Sequence, residues 1–280
     1  MRVAVITDST SYIPESTRQE LDIHMIPLSV VFDSESFREE IDISTEDFYQ
    51  KVRESEQLPK TSQPAIGEMT DKLTQLAAEY DQAIFITLSS GISGTYQSAV
   101  SAGAAMEDIE VVTFDSEISC LAQGFYVLEA ARLAKQGQDI QAMVARLEQM
   151  KKSLRAYFMV DDLNNLHRGG RLNGAQAILG SMLQVKPILH FENTKIVPFE
   201  KIRTKKKAVK RMLDLFDEDA RTGAVIEASV IHANRKDEAE ALRQQLMEQY
   251  PHATITISYV GPVIGTHLGE GAIGLTWYQK

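Results

Sequence analysis

Two stretches of the chain gather hydroxyls, glycines and a histidine into patterns that can hold or attack a polar group. In Ser89-Ser90-Gly91-Ile92-Ser93-Gly94-Thr95, Ser93 lies one residue away from the G-x-S-x-G elbow that exposes a nucleophilic serine in hydrolases. The same stretch passes from a strand-like segment into an Ala-rich helical one, so Ser93 equally suits a hydroxyl that holds an anion at a helix N-terminus. As an elbow it is defective, because Thr95 takes the place of the final glycine. The second stretch is Gly261-Pro262-Val263-Ile264-Gly265-Thr266-His267-Leu268-Gly269-Glu270-Gly271, which reads as a glycine-rich loop able to wrap closely around something, with His267 inside it. A lone histidine also occurs as a satisfied structural residue, so this segment by itself leaves both roles open.

Two more polar motifs and a set of cations add to these. Thr7-Asp8-Ser9-Thr10-Ser11 follows the opening strand, at the edge where ligands meet an open parallel sheet, and reads either as part of a site or as a helix cap. Thr61-Ser62-Gln63-Pro64 precedes a helix expected from Ile66, where Pro64 fits the first turn and either hydroxyl is placed to cap. Arg168-Gly169-Gly170-Arg171 and residues 201–211, with Arg203, Lys205, Lys206, Lys207 and Lys210, make either a positive patch for a phosphate or acidic partner or a solvated helix face. Three chemistries are compatible with this inventory. A lipid-ester hydrolase would use Ser93 as nucleophile, His267 as base and Asp8 or Asp115 as orienter; a regulatory module would bind a phosphorylated small molecule; a carrier would clamp a ligand without reacting. No G-x-x-x-x-G-K-[ST] loop is present, which argues against nucleotide binding by that route.

The elements that must position these residues follow from periodicity. Short β-branched runs at 3–6, 83–87 and 111–114 alternate with helical spacing at 66–80 and 118–135, which predicts βαβ units and a mostly parallel sheet. Ser44 ahead of Glu46 and Asp47 is a sound helix start. After an amphipathic helix at 141–152 the pattern changes. Strands are expected at 156–160, 187–191, 196–199, 227–232, 254–260 and 272–277, with helices at 205–216 and 237–250, and the four residues Glu192-Asn193-Thr194-Lys195 make a hairpin turn. The expectation is an α/β fold of two α/β domains, 1–153 with a mostly parallel sheet and 154–280 with a mixed sheet, their boundary at 152–156 and a cleft shared between them.

With 280 residues, 44% hydrophobic and 24% charged, the chain is long and apolar enough to bury a sizeable core. A net charge of -10 disfavours general binding to nucleic acid or anionic membranes. The single Cys120 excludes an internal disulfide or a cysteine metal cluster, and together with an N-terminus that lacks a signal-peptide core it predicts a cytoplasmic protein.

Taken in order along the chain, "ITDSTSYIP", "KTSQPAIGE", "LSSGISGTYQSA", "FDSEISC", "LNNLHRGGRL", "KPIL" and "GPVIGTHLGEGAIG" resemble the DegV family of bacterial fatty-acid-binding proteins over essentially the whole length. The resemblance implies an apolar tunnel at or near the domain junction that holds one long-chain fatty acid as ligand, with no cofactor and no metal. It implies a carrier, not an enzyme, that presents the carboxyl group to a fatty acid kinase for phosphorylation to an acyl phosphate used in phospholipid synthesis. Acyl-phosphate-using acyltransferases and transient membrane contact belong to the same implied set of partners. Carried onto this chain, the resemblance makes Ser93, Thr61 and His267 hydrogen-bonding partners of the carboxyl, with Ser62, Gly94 and Thr266 in the same carboxyl-binding set. Arg171 and Arg203 fall to phosphate binding or kinase docking.

Overall fold

The structure, a computed structural model, describes residues 1–172 and 186–280. Strands β1 (Val3–Asp8) and β6 (Gln82–Thr87) are buried at every position, as central strands covered on both faces must be. Flanked by β2 (Ile23–Ile26) and β7 (Glu110–Asp115), they form a four-stranded parallel sheet in the order β2-β1-β6-β7. A second sheet of six strands has the order β10-β9-β8-β13-β11-β12, from β8 (Arg155–Met159), β9 (Ile188–Glu192), β10 (Lys195–Glu200), β11 (Ile226–His232), β12 (Thr254–Tyr259) and β13 (Ile273–Gln279). It is mixed: β11 and β12 run parallel and the other neighbours antiparallel. The β9–β10 hairpin turns at Asn193 and Thr194, both at positive φ.

Periodicity did not anticipate a third sheet. Strands β3 (Ser29–Phe32), β4 (Glu35–Arg38) and β5 (Lys60–Ser62) form a small antiparallel sheet in the order β4-β3-β5. Thr61 and Ser62 therefore lie on a strand and do not cap the following helix, whose N-cap, Ala65, has no side-chain bond. The glycine-rich segment near the C-terminus also departs from the expected loop, because Pro262–Leu268 is a helix. Pro262 occupies its first turn and Gly269, at φ +76°, ends it, the ordinary proline-first, glycine-last punctuation of a helix.

One helix organises the core. Cys120–Lys135 is buried continuously from Cys120 to Val127, because it packs on the parallel sheet on one side and on the mixed sheet on the other. A single apolar cluster accordingly joins Val5 and Ile84 of the first sheet, Phe125 of this helix and Leu189, Ile231 and Tyr278 of the second. The outer face of the parallel sheet is covered by helices Ile66–Ala77 and Thr95–Ala104 through Met69, Leu73 and Ala99. The outer face of the mixed sheet is covered by Lys205–Ala220 and Lys236–Gln249 through Met212, Phe216 and Leu246. The connection that leaves the carboxyl end of β6 borders the gap between the sheets. Among the described residues no helix is long and apolar enough to cross a membrane.

Candidate functional site

That gap holds a cavity of about 320 Å³. This lies within the roughly 300–1,000 Å³ typical of small-molecule sites. Most of its wall is apolar: Leu28, Leu88 and Ile118 come from the connections that follow β2, β6 and β7, and Phe158, Phe191 and Ile231 from the mixed sheet. Two small residues belong to this wall, Ala156 in register with Thr276 and Gly274 in register with Phe158, and a Cβ on Gly274 would press on Phe158. The Thr276 hydroxyl donates to the Arg155 carbonyl, so it offers little to a ligand. Cys120 lines the wall at φ +58°, its thiol pushed up to about 12 by burial, and behaves as a small apolar group rather than a nucleophile.

Polar groups gather at one place in this wall, where Thr61, Ser62, Ser93, Gly94, Arg171 and His267 meet. Ser93 arrives on the connection between β6 and the helix Thr95–Ala104. This connection is pinned at several points: Leu88 N–H donates to Asp8 Oδ2 at 2.7 Å, Ser89 N–H to the Ile118 carbonyl at 2.7 Å, and Ser90 N–H to Asp115 Oδ1 at 3.1 Å. Asp8 is fully buried and its carboxyl is raised by desolvation, against hydrogen bonds from Thr10, Leu88 N–H and Gln123 that oppose the rise. Ser93 Oγ lies 2.9 Å from Thr95 Oγ1 and accepts from Thr95 N–H at 3.3 Å. The glycines here serve packing between segments. A Cβ on Gly91 would collide with Thr194 at the tip of the β9–β10 hairpin, and one on Gly94 with the side-chain amide of Gln63. Ser89 Oγ donates to the Thr194 carbonyl at 2.6 Å, which fastens the hairpin over the Ser93 connection.

The other half of the polar cluster comes from distant segments. Thr61, opposite Val30 in the small sheet, places Oγ1 2.9 Å from His267 Nε2. Burial, with the positive charge of Arg171 adding to it, lowers His267 to about 4, so its imidazole is neutral near pH 7. His267 Nδ1 has no hydrogen-bond partner among the described residues and faces Gly169, where a Cβ would strike the ring. Arg171 donates from Nε to the Ile92 carbonyl at 3.1 Å and from Nη1 to the Gly169 carbonyl at 2.6 Å, linking the two halves. On the far side of Thr61, His267 and Arg171 an open outer cleft is lined by Lys60, Asn165 and Arg168.

Six of the eight residues expected at a site thus line the cavity. Ser62 does so with its hydroxyl turned to the Gln63 carbonyl at 3.1 Å. Thr266 lines the outer cleft instead, and its hydroxyl donates to the Pro262 carbonyl of its own helix at 2.9 Å. Arg203 is exposed ahead of the helix Lys205–Ala220 and lines neither space.

A profile of the family described as "Uncharacterised protein, DegV family" matches residues 2–280. The chain belongs to the DegV family. It is 56% identical to Protein DegV of Bacillus subtilis over 281 residues, covering 100% of both chains. The crystal structure described as DegV, a fatty acid binding protein from Bacillus subtilis, superposes with a TM-score of 0.96 over 100% of both chains. A structure described as fatty acid binding of a DegV family protein from Thermus thermophilus, 32% identical, gives 0.93 over 100% of both.

In this DegV chain the catalytic triad of a hydrolase is not assembled. Ser93 bonds to Thr95, His267 to Thr61, and Asp8 and Asp115 accept backbone N–H groups, so Ser93 has no base and His267 no orienting carboxylate in these contacts. Lys60 and Asn165 carry no signal of their own in the sequence, and Gly169, named there only between two arginines, is the small residue beside the histidine ring.

Proposed function

We propose that this chain binds one long-chain fatty acid in the cavity, its tail along the apolar wall and its carboxyl at Thr61, Ser93 and His267. The observation that carries this reading is the cavity's asymmetry: apolar surface from the mixed sheet and from the connections after β2, β6 and β7, and one polar cluster of hydroxyls, an imidazole and a guanidinium. A tail of ~16 carbons gains about 0.8 kcal/mol per buried CH₂, which is ample for retention once ordering is subtracted. An ionised carboxylate leaving water needs donors: the Ser93 and Thr61 hydroxyls and backbone N–H groups near Gly94 supply them, His267 Nε2–H donating to Thr61 so that the Thr61 hydroxyl hydrogen is free for the ligand, with Ser62 close behind.

The chain acts as a carrier for a partner fatty acid kinase, and the outer cleft is the side from which the phosphoryl donor approaches. There a carboxylate oxygen attacks the terminal phosphorus of ATP, the bond to the leaving phosphate breaks and ADP departs, with acyl phosphate as the product. Lys60, Arg168 and Arg171 lining that cleft offset the charge of the incoming group, and the clamp fixes the attacking oxygen. Arg203, away from both spaces, belongs to docking of the kinase. The product passes to acyl-phosphate-using acyltransferases of phospholipid synthesis, at or near the membrane, from a carrier working in the cytoplasm.

Mass spectrometry of the purified chain, native and then denatured, tests the first step. One fatty acid per chain, released on denaturation, is the expected result, and a chain that arrives empty and refuses added fatty acid contradicts it. Incubation with a fatty acid kinase and ATP, with hydroxylamine trapping of acyl phosphate, tests the second; no hydroxamate from a loaded chain would remove the kinase step while leaving the binding intact.

A further inference from the structure

The helix Pro262–Leu268 carries His267 but spans only two turns, too few to hold its own position in water. Its first N–H groups need acceptors, and the N-cap, Gly261, has no side chain to offer one. The acceptors come from far away in sequence. Val263 N–H donates to Glu39 Oε1 at 2.7 Å, and Ile264 N–H to the Tyr12 hydroxyl at 3.3 Å. Tyr12 in turn donates to Glu39 Oε1 at 3.0 Å, while the Ser9 hydroxyl donates to Oε2 at 2.5 Å and accepts from Leu28 N–H. Glu39 is fully buried, and a Cβ on Gly261 would collide with the Tyr12 ring and crowd the carboxylate. A buried carboxyl with this many donors, outside the cavity and unused by a carboxyl clamp, calls for a reason.

Its backbone supplies one. Glu39 follows β4 directly, and its N–H donates to the Leu28 carbonyl beside β3, the strand that pairs with β5 and so holds Thr61. We propose that Glu39 is a positioning residue for the Thr61 and His267 pair: its main chain continues the small sheet that carries Thr61, and its carboxyl caps the helix that carries His267. One side chain thereby sets the separation of two groups 206 residues apart in sequence. Tyr49 on the helix Thr45–Glu54 reinforces the arrangement by donating to the Val260 carbonyl just before the capped helix. What the pair does for a ligand rests on the fatty-acid reading; the geometry does not.

Burial pushes the Glu39 carboxyl up to about 8. A glutamine keeps its shape and the Oε1 acceptor for Val263 N–H and Tyr12, and its amide N–H donates to Ser9 Oγ in place of the bond from Ser9, as a protonated carboxyl would. The test uses the delipidated full chain labelled with ¹⁵N, reading the ring-nitrogen shifts of His267, assigned by their loss in His267→Gln. In Glu39→Gln the Nε2 shift stays where it is in the wild type. In Glu39→Ala it moves toward that of an unbonded imidazole, and fatty-acid affinity falls about tenfold, against under about twofold for Glu39→Gln. A folded Glu39→Ala with an unmoved His267 signal overturns the proposal, as does a Glu39→Gln displaced as far as the alanine variant. Should Glu39→Ala fail to fold, Tyr12→Phe decides: it removes only the hydroxyl shared by Glu39 and Ile264, and a smaller shift in the same direction is expected, while none overturns the proposal. The ring-nitrogen readout needs no ligand, so a wild type that binds no fatty acid sinks the lipid reading and leaves the positioning role standing.

Discussion

The two halves of the polar cluster are built in opposite ways. Ser93 stands on a strand-to-helix connection continuous in sequence and pinned by its neighbours, with Asp8 accepting Leu88 N–H at the edge of the same parallel sheet. His267 stands on a two-turn helix whose position comes from Glu39, Tyr12, Tyr49 and Thr61, all at least 206 residues distant. A buried carboxyl anchors each half through a backbone N–H. The first half rides on a continuous strand and helix of the parallel sheet, and the second hangs on a two-turn helix held by side chains from the other end of the chain, so the two should fail differently when challenged.

The largest effect tests the local half. Asp8→Ala leaves the Leu88 and Thr10 backbone N–H groups without their buried acceptor, and the free energy of unfolding falls by about 3 kcal/mol. Urea denaturation measures it, and a loss under about 1 kcal/mol would mean that the Ser93 connection does not depend on its carboxyl. The next concerns the assembled half. His267 stays neutral in the folded chain down to about 4, while the unfolded chain takes up the proton near 6.5. Its contribution is therefore present in full above about pH 6.5 and is lost as the pH falls toward 4, by up to about 3 kcal/mol. Denaturation of wild type and His267→Gln at a series of pH values isolates this difference, and identical slopes between pH 6.5 and 4 would contradict it.

Affinity provides the finer comparison. Thr61→Val removes the partner of His267 Nε2 and weakens fatty-acid binding about tenfold. Ser93→Ala weakens it about fivefold, because the backbone bonds of Leu88, Ser89 and Ser90 keep the connection in shape. Calorimetric titration ranks the two, and the reverse order would place the main clamp on the local half. Arg203→Ala, exposed and remote from the cavity, changes affinity less than about twofold and so marks the floor of the series.

This contrast also explains what the sequence discloses. The alternation that gives a parallel sheet followed by a mixed one is legible because strands such as Gln82–Thr87 and helices such as Lys205–Ala220 are long enough to show a period. The Ser93 connection is legible for the same reason, being one continuous strand, turn and helix. Lys60–Ser62 is three residues long and polar at both ends, so no period marks it as a strand. In Gly261 to Gly271 the glycine density conceals a helix, since Gly261 and Gly265 answer to the nearby Tyr12, Phe48 and Tyr49 side chains and not to a flexible turn. Glu39 sits in the acidic run Glu39-Glu40-Ile41-Asp42, which reads as surface until the fold buries its first member completely.

The most direct test of the central claim is a crystal structure of the chain with a bound C16 fatty acid. The account predicts the tail between the two sheets, along Leu28, Phe158 and Ile231, and a carboxyl oxygen within hydrogen-bond distance of both Ser93 Oγ and the Thr61–His267 pair. A carboxyl at the far end of the cavity, or held by Ser93 with Thr61 and His267 uninvolved, would contradict it.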